Sequence, residues 1–525
     1  MQDEHRQRDE ALLASLGYKQ EFSREFAPLE VFGIAFSIIG LLPSIASVLV
    51  FALPNGGPAA MVWGWAVASI GVFFVGLSMA ELASAAPTSG GLYFWTHSLS
   101  SPFCRNLLAW VVGYANTIGS IASIASIDWG CAVQIAAAAA IGSGERYSAT
   151  SAETFGIYVA VVVTHGAICS LGTKVLARLQ GLYVVLNVLL CLVVIIALPV
   201  ATPAKYKNSA SYALANFTNL NGWPNGYAFI LSFLAPLWTI CSFDSSIHIS
   251  EEASNAAVAV PWAIVTAIGI AGVLGWAINV VLAFFMGSDI QALLDSDVGQ
   301  PMAQIFYQSF GQKGTLAIWS VIVIVQYMMG SSMVLAASRQ AFAFSRDGAL
   351  PFSATLYKIN SSTGTPVNTV WFCCTISILL GLLAFAGEQA IGAIFSLSIV
   401  GLYIAYATPI VARFVFENDF KPGPFSLGRW SLPVAVISVT WMAFVGIVFL
   451  FPSTPTVGVG DMNYTVVVLG GVLTLSLVYY YFPKYGGKNW FTGPVPTIDV
   501  PRYSTGVDKE REKGSLRVEI AQTKE

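Results

Sequence analysis

Charge is what this 525-residue chain has least of: 10% of its residues are Asp, Glu, Lys or Arg, where soluble domains carry roughly 25%. Four histidines without an H-E-x-x-H spacing give no metal-ligand pattern. The seven cysteines lie in or beside apolar runs and form no C-x-x-C, so they read as small buried hydrophobes. No G-x-x-x-x-G-K-[ST] is present, which excludes an ATP-hydrolysing motor of that type on this chain. No cofactor or metal is implied. A net charge of −3 offers no basic surface for nucleic acid. Residues 1–25 are polar and charged, unlike a cleavable signal peptide.

What is abundant is apolar sequence: 56% hydrophobic residues and a mean hydropathy of +0.69. A bilayer-crossing helix needs about 20 mostly apolar residues. Twelve runs meet this, near 30–53, 59–83, 106–140, 154–173, 178–202, 226–249, 261–286, 314–345, 367–386, 389–416, 432–451 and 464–483. The third and eighth exceed the thickness of a bilayer and are expected to tilt or extend beyond it. The expected organisation is a tail at 1–28, a membrane domain at 29–483 and a tail at 484–525, the last with a flexible composition rich in Lys, Glu, Gly and Pro.

With the N-terminus inside, nine Lys and Arg fall in inner loops and four in outer loops, and both tails are cytoplasmic. The N-x-T sequons at Asn216 and Asn463 then lie outside.

Two runs carry their own interruptions. "FSIIGLLPS", Phe36 to Ser44, places Gly40 and Pro43 in the middle of the first. The sixth contains Pro236 and then "CSFDSSIHISEE", Cys241 to Glu252. Proline removes a backbone donor and glycine lowers the cost of unwinding. Broken backbone at membrane depth is tolerated only where protein or a wet cavity surrounds it. Runs one and six each begin one half of a possible five-plus-five inverted repeat, the placement that transporters use for a midplane substrate site.

Asp244 has two readings that can coexist: an N-cap accepting from the amides of Ser246 or Ile247, or a functional carboxylate. The functional carboxylate would face a substrate cation or carry a coupled proton. Glu251 and Glu252 read as a solvated helix end or as an inner gate pairing with Arg339 or Arg346. Glu81 is expected to brace a loop. Asp128 fits a vestibule or a helix–helix hydrogen bond, and His165 an interhelical bond or a proton relay. Asn116 and Gln326 either line a cavity or bridge helices.

Several motifs resemble a known group. "MAELASAAPTSGGLYFW" (Met79 to Trp95), "FDSSIHISEEASNA" (Phe243 to Ala256) and "ASRQAFAFSRDGALP" (Ala337 to Pro351) are similar to signatures of the amino acid–polyamine–organocation superfamily. "LGYKQEF" (Leu16 to Phe22) and "FSIIGLLPSIAS" (Phe36 to Ser47) resemble the fungal 4-aminobutyrate (GABA) permeases of its amino acid/choline transporter branch. The resemblance implies an all-α bundle of about twelve helices, inverted five-plus-five, with helices 1 and 6 discontinuous. It also implies a substrate carboxylate held at Ser37, Ile38, Gly40 and Leu41, where one glycine stands in place of the superfamily's G-[ST]-G. The substrate amine would sit at the stretch through Ser242, Phe243 and Asp244. Some relatives couple to protons through a lysine on helix 5; here that run has Arg178 at its start and Asn187 inside.

The leading expectation is a multi-pass permease, more in the plasma than the vacuolar membrane, importing GABA or a related amino acid with protons as the coupling partner. A choline or polyamine carrier binding its cation by charge and cation–π contact, and a non-transporting nutrient receptor, are the alternatives. No nucleophile–base motif supports a membrane enzyme.

Overall fold

A computed structural model of the chain describes residues 2–455, 458 and 462–498. It is helical, and among the described residues only isolated bridges, such as Phe26 with Ala253, interrupt that pattern. Eleven helices are long and apolar enough to cross a membrane: Pro28–Ala52, Gly57–Ala85, Arg105–Gly142, Ser151–Leu171, Val175–Ala201, Ala256–Phe285, Pro301–Arg346, Val367–Ala386, Gln389–Val415, Gly428–Val448 and Tyr464–Tyr481. The twelfth is the expected sixth span. It is cut into Asn225–Leu231, Leu234–Thr239 and Ser245–His248, none of which is long enough alone.

The long runs resolve differently. The third span is one continuous helix of 38 residues. The eighth is interrupted at Gly311 (φ 66°, ψ −179°), so its first ten residues form a separate helix before the span proper.

Neighbour relations follow an inverted repeat. The second span packs on the seventh, the third on the eighth and the fourth on the ninth. The fifth lies against the first and eighth, as the tenth lies against the sixth and third. The first four spans each meet their counterpart in the second five, and the fifth and tenth take matching places against the first and eighth and the sixth and third, as in transporters built from inverted halves.

The first span breaks at one residue. Pro28–Ile39 ends at Gly40, whose φ of 45° and ψ of 54° are left-handed, and Leu41–Ala52 begins next. Glycine enters that region without the steric cost a β-carbon brings. A β-carbon there would also lie 2.6 Å from the sulfur of Met329. Pro43 stands third in the new half-helix, where its missing N–H would have had no intrahelical partner anyway. Pro236 is third in Leu234–Thr239 in the same way.

Both described tail segments pack on one face of the bundle. Helix Gln2–Ser15 places the Asp9 carboxylate on the amides of Asn255 and Ala256, at 2.6 and 3.3 Å. The Thr497 amide donates to the Gly17 carbonyl at 2.8 Å, and Phe491 is buried. The flexible composition of 484–525 therefore does not describe 484–498, which lie against the bundle; residues 499–525 lie outside the described residues.

Candidate functional site

The two breaks lie side by side because the first and sixth spans run antiparallel. Leu41–Ala52 packs against Leu234–Thr239, and Pro28–Ile39 against Ser245–His248. At the sixth break the helical ladder stops at Ile240 and resumes at Ser245, with Ser242 in the left-handed region at φ 59°. A non-glycine residue held there costs on the order of 1–3 kcal/mol and persists only where its surroundings dictate it. One such restraint is the hydroxyl contact from Ser242 to Ser123 of the third span, at 3.1 Å. At the first break, Asn187 of the fifth span donates to the Phe36 carbonyl at 3.5 Å. Ser37 and Ile38 are buried immediately before Gly40, and Leu41 immediately after it. The hydroxyl of Ser37 makes no hydrogen bond within the protein. The amides of Leu41 and Leu42, in a helix's first turn, have no intrahelical acceptor. A helix N-terminus of this kind favours an anion.

Asp244 does not cap Ser245–His248. Its φ and ψ of −65° and −12° are helical, whereas a capping residue is extended so that its side chain can fold back over the first amides. The carboxylate turns elsewhere. Its Oδ1 accepts the Tyr406 hydroxyl of the tenth span at 2.6 Å, and its Oδ2 lies 3.1 Å from Nε2 of His248. Phe243 packs on the ring of Tyr406, with centroids 5.3 Å apart. Nδ1 of His248 meets the Ser89 carbonyl at 2.9 Å, and Asn116 of the third span meets Nε2 at 3.2 Å. Asn116 is thereby joined to the sixth break. Gln326 is not: it donates to the Ile127 carbonyl at 2.8 Å, on the third–eighth helix contact near Gly130.

Toward the tails, two buried ion pairs close the bundle. Arg339 meets Glu252 at 2.8 Å, and Arg346 meets Glu251 at 3.1 Å. Removing one partner of such a buried pair costs roughly 3–5 kcal/mol, because the other charge stays buried alone. Glu251 also accepts the Ser89 amide at 3.0 Å. Phe22 lies over the guanidinium of Arg339 at 5.8 Å and Tyr18 over that of Arg346 at 4.0 Å. Next to Arg346, the Asp347 carboxyl accepts Tyr93 at 2.6 Å and the Val495 amide at 3.0 Å. Burial pushes this carboxyl up to about 6, against the pull of Arg346 and its hydrogen bonds.

The opposite face is open. A cavity of about 420 Å³ is lined by Ser47, Gly130, Gln134, Gln300 and Phe395 among others. Phe395 stacks on Trp238 at 4.8 Å and on Phe51 at 5.2 Å. Phe51 and Phe395 line the cavity, and Trp238 belongs to the half-helix that ends at the sixth break.

The remaining polar residues are structural bonds between helices or loops. Glu81 accepts from Arg413, Ser426, Ser431 and the Leu427 amide, so it braces the connection that precedes the eleventh span. Asp128 meets His165 at 3.2 Å across the third and fourth spans.

Sequence reasoning missed His248 and Tyr406. His248 was visible as the i+4 neighbour of Asp244. Tyr406 lies 162 residues away and carried no signal.

The comparisons agree with this architecture. The family model described as amino acid permease matches residues 26–473. An uncharacterized amino-acid permease of Schizosaccharomyces pombe is 42% identical over 95% of this chain and 90% of its own length. The GABA-specific permease of Saccharomyces cerevisiae is 39% identical over 95% of this chain and 88% of its own. Amino-acid permease BAT1 of Arabidopsis thaliana is 34% identical over 93% of this chain and 96% of its own. A discontinuous, inverted-repeat bundle matched along most of its length in this way belongs to the amino acid permease family.

Proposed function

We propose that the protein imports GABA or a related amino acid by alternating access, driven by the proton gradient. The observation that carries this reading is the pair of adjacent, antiparallel breaks. The first presents the amides of a half-helix N-terminus, suited to a carboxylate. The sixth ends one half-helix at Ile240, whose last carbonyls attract an ammonium. A zwitterion held between them is neutralised without burying a lone protein charge. Ser37, Ile38, Gly40 and Leu41 hold its carboxylate; the backbone from Cys241 to Asp244 holds its amine.

In this reading the tail face is cytoplasmic, the cavity at Gln134 and Gln300 opens outward, and the protein works in the plasma membrane. Glu251, Glu252, Arg339 and Arg346 form the closed inner gate. The likeness to a relative named as GABA-specific supports the choice of substrate class. The test is uptake into vesicles holding the purified protein, with a labelled panel of GABA, α-amino acids, choline and a polyamine. Accumulation of GABA or an α-amino acid under an imposed pH gradient is expected. Uptake of choline or polyamine alone, or equilibration without dependence on the gradient, would overturn the reading.

A further inference from the structure

We propose that the coupled proton sits between Asp244 and His248, and that Asn116 of the third span exchanges with it. This rests on the proton-coupled permease reading above and names the group that reading leaves open.

The argument is a count of protons. Nδ1 of His248 faces the Ser89 carbonyl at 2.9 Å, which can only accept, so Nδ1 carries a hydrogen. A neutral imidazole has no second N–H. Its Nε2 would then turn a lone pair toward Oδ2 of Asp244, 3.1 Å away. Two acceptors do not attract at that distance. The contact therefore holds one further proton, on Nε2 or on the carboxyl. Tyr406, donating to Oδ1, fixes the carboxylate so that Oδ2 is the oxygen that faces the ring.

When that proton leaves, Nε2 becomes an acceptor. Asn116 is already 3.2 Å from it, with an NH2 group that can donate. The ring nitrogen thus has two partners within reach, Asp244 at 3.1 Å and the Asn116 amide at 3.2 Å, and loss of the proton leaves only the second bond. The first link lies within the sixth span and the second joins it to the third. His248 also fastens Ser89, whose amide binds Glu251 of the inner gate. Proton occupancy is in this way tied to the packing of the sixth span on the third and to the tail-face closure.

Among the described residues, the elements packed directly on the pair bring few other ionisable groups; Asp347 is tied to Tyr93 and Val495, and Asp128 to His165. The tenth span presents the Tyr403 and Tyr406 phenols, and the break presents the Cys241 thiol, groups whose ordinary pKa values lie above neutrality. The eighth span brings Arg339 and Arg346, each held by Glu252 and Glu251. The first span has only Glu30, in its first turn, and the seventh, Ala256–Phe285, has no charged residue.

The experiment uses the full chain in vesicles with a trapped pH dye and labelled GABA, or the panel amino acid that wild type accumulates. Wild type must accumulate it under a pH gradient; if it does not, the permease reading has failed before any variant is compared. His248→Gln can still donate to Asp244 but carries no dissociable proton there. Its exchange of internal for external label should persist within about tenfold. Its accumulation should fall to equilibrium, substrate-dependent proton entry should vanish, and its uptake should lose pH dependence. Asp244→Asn should likewise lose accumulation and substrate-dependent proton entry, since the new amide donates to Nε2 and its oxygen still accepts Tyr406. Wild-type accumulation and proton entry in either variant would overturn the proposal. Loss of exchange in His248→Gln, or failure of both variants to fold, would also overturn it, because the pair would then be needed for structure or substrate movement rather than for coupling.

Discussion

Two buried aspartate–histidine pairs, Asp244–His248 and Asp128–His165, make almost equal contacts of 3.1 and 3.2 Å, yet their second ring nitrogens have different surroundings. In the Asp128 pair, Nδ1 of His165 faces the carboxylate, while Nε2 and Oδ1 make no hydrogen bond within the protein. The single N–H of a neutral imidazole is enough. In the Asp244 pair that single N–H is taken by Ser89, and the contact needs another. The first pair joins two continuous helices. The second lies on a broken one and touches Tyr406, Asn116 and Ser89 from three other segments. Residue type and burial do not separate a static bond from a coupling site; the partner of the second ring nitrogen does.

Adjacent residues of the eighth span serve the two regions. Gly330 leaves room for Asp128 and His165, and a β-carbon there would overlap Oδ1 of Asp128. Met329 fills the space over Gly40. Gly330→Val should have the largest effect on the fold, since it separates a buried carboxylate from its partner at a cost of roughly 3–5 kcal/mol. Thermal unfolding in detergent should show a large loss of stability or of recoverable protein.

Gly40→Val should abolish uptake while the protein still folds. The left-handed position costs about 1–3 kcal/mol, and the thioether of Met329 can shift. Uptake at wild-type rates by the purified variant would remove the first break from the substrate path.

Tyr406→Phe should have a smaller effect confined to the Asp244 pair. It removes a donor to the carboxylate worth about 1.5–3 kcal/mol, so the proton is released less readily and net uptake slows roughly tenfold or more. Exchange should fall less than net uptake; an equal fall in both would mean that the hydroxyl serves substrate binding instead.

Much of the bundle was legible because membrane spans are long, apolar and local. The breaks were legible too, since Gly40 with Pro43, and Pro236 with Asp244, stand out against lipid-compatible sequence. The sixth span gave a continuous run by composition, but its backbone is broken over Cys241–Asp244, and its lower half has a single short helix before a 3₁₀ turn at Ser250–Glu252. That geometry also defeated the capping expectation for Asp244, which assumed an extended residue at the helix start. Asn116 and Gln326 looked alike in sequence, as lone amides in mid-span; only the packing of the third helix separates the one beside His248 from the one beside Gly130. Phe22 and Tyr18, which cover the two gate arginines, sit in a polar tail whose composition carries no sign of tertiary packing.

The most direct measurement sets the two pairs against each other: the accumulation ratio of labelled substrate under an imposed pH gradient, in vesicles carrying His165→Gln or Asp244→Asn. A glutamine at 165 can still donate to Asp128, so that variant should accumulate substrate within about twofold of wild type, with at most about 1 kcal/mol lost in stability. Asp244→Asn should at most equilibrate substrate across the membrane, with no accumulation above the external concentration. Concentrative uptake by Asp244→Asn together with its loss in His165→Gln would contradict the account, because the transported proton would then belong to the pair that needs none.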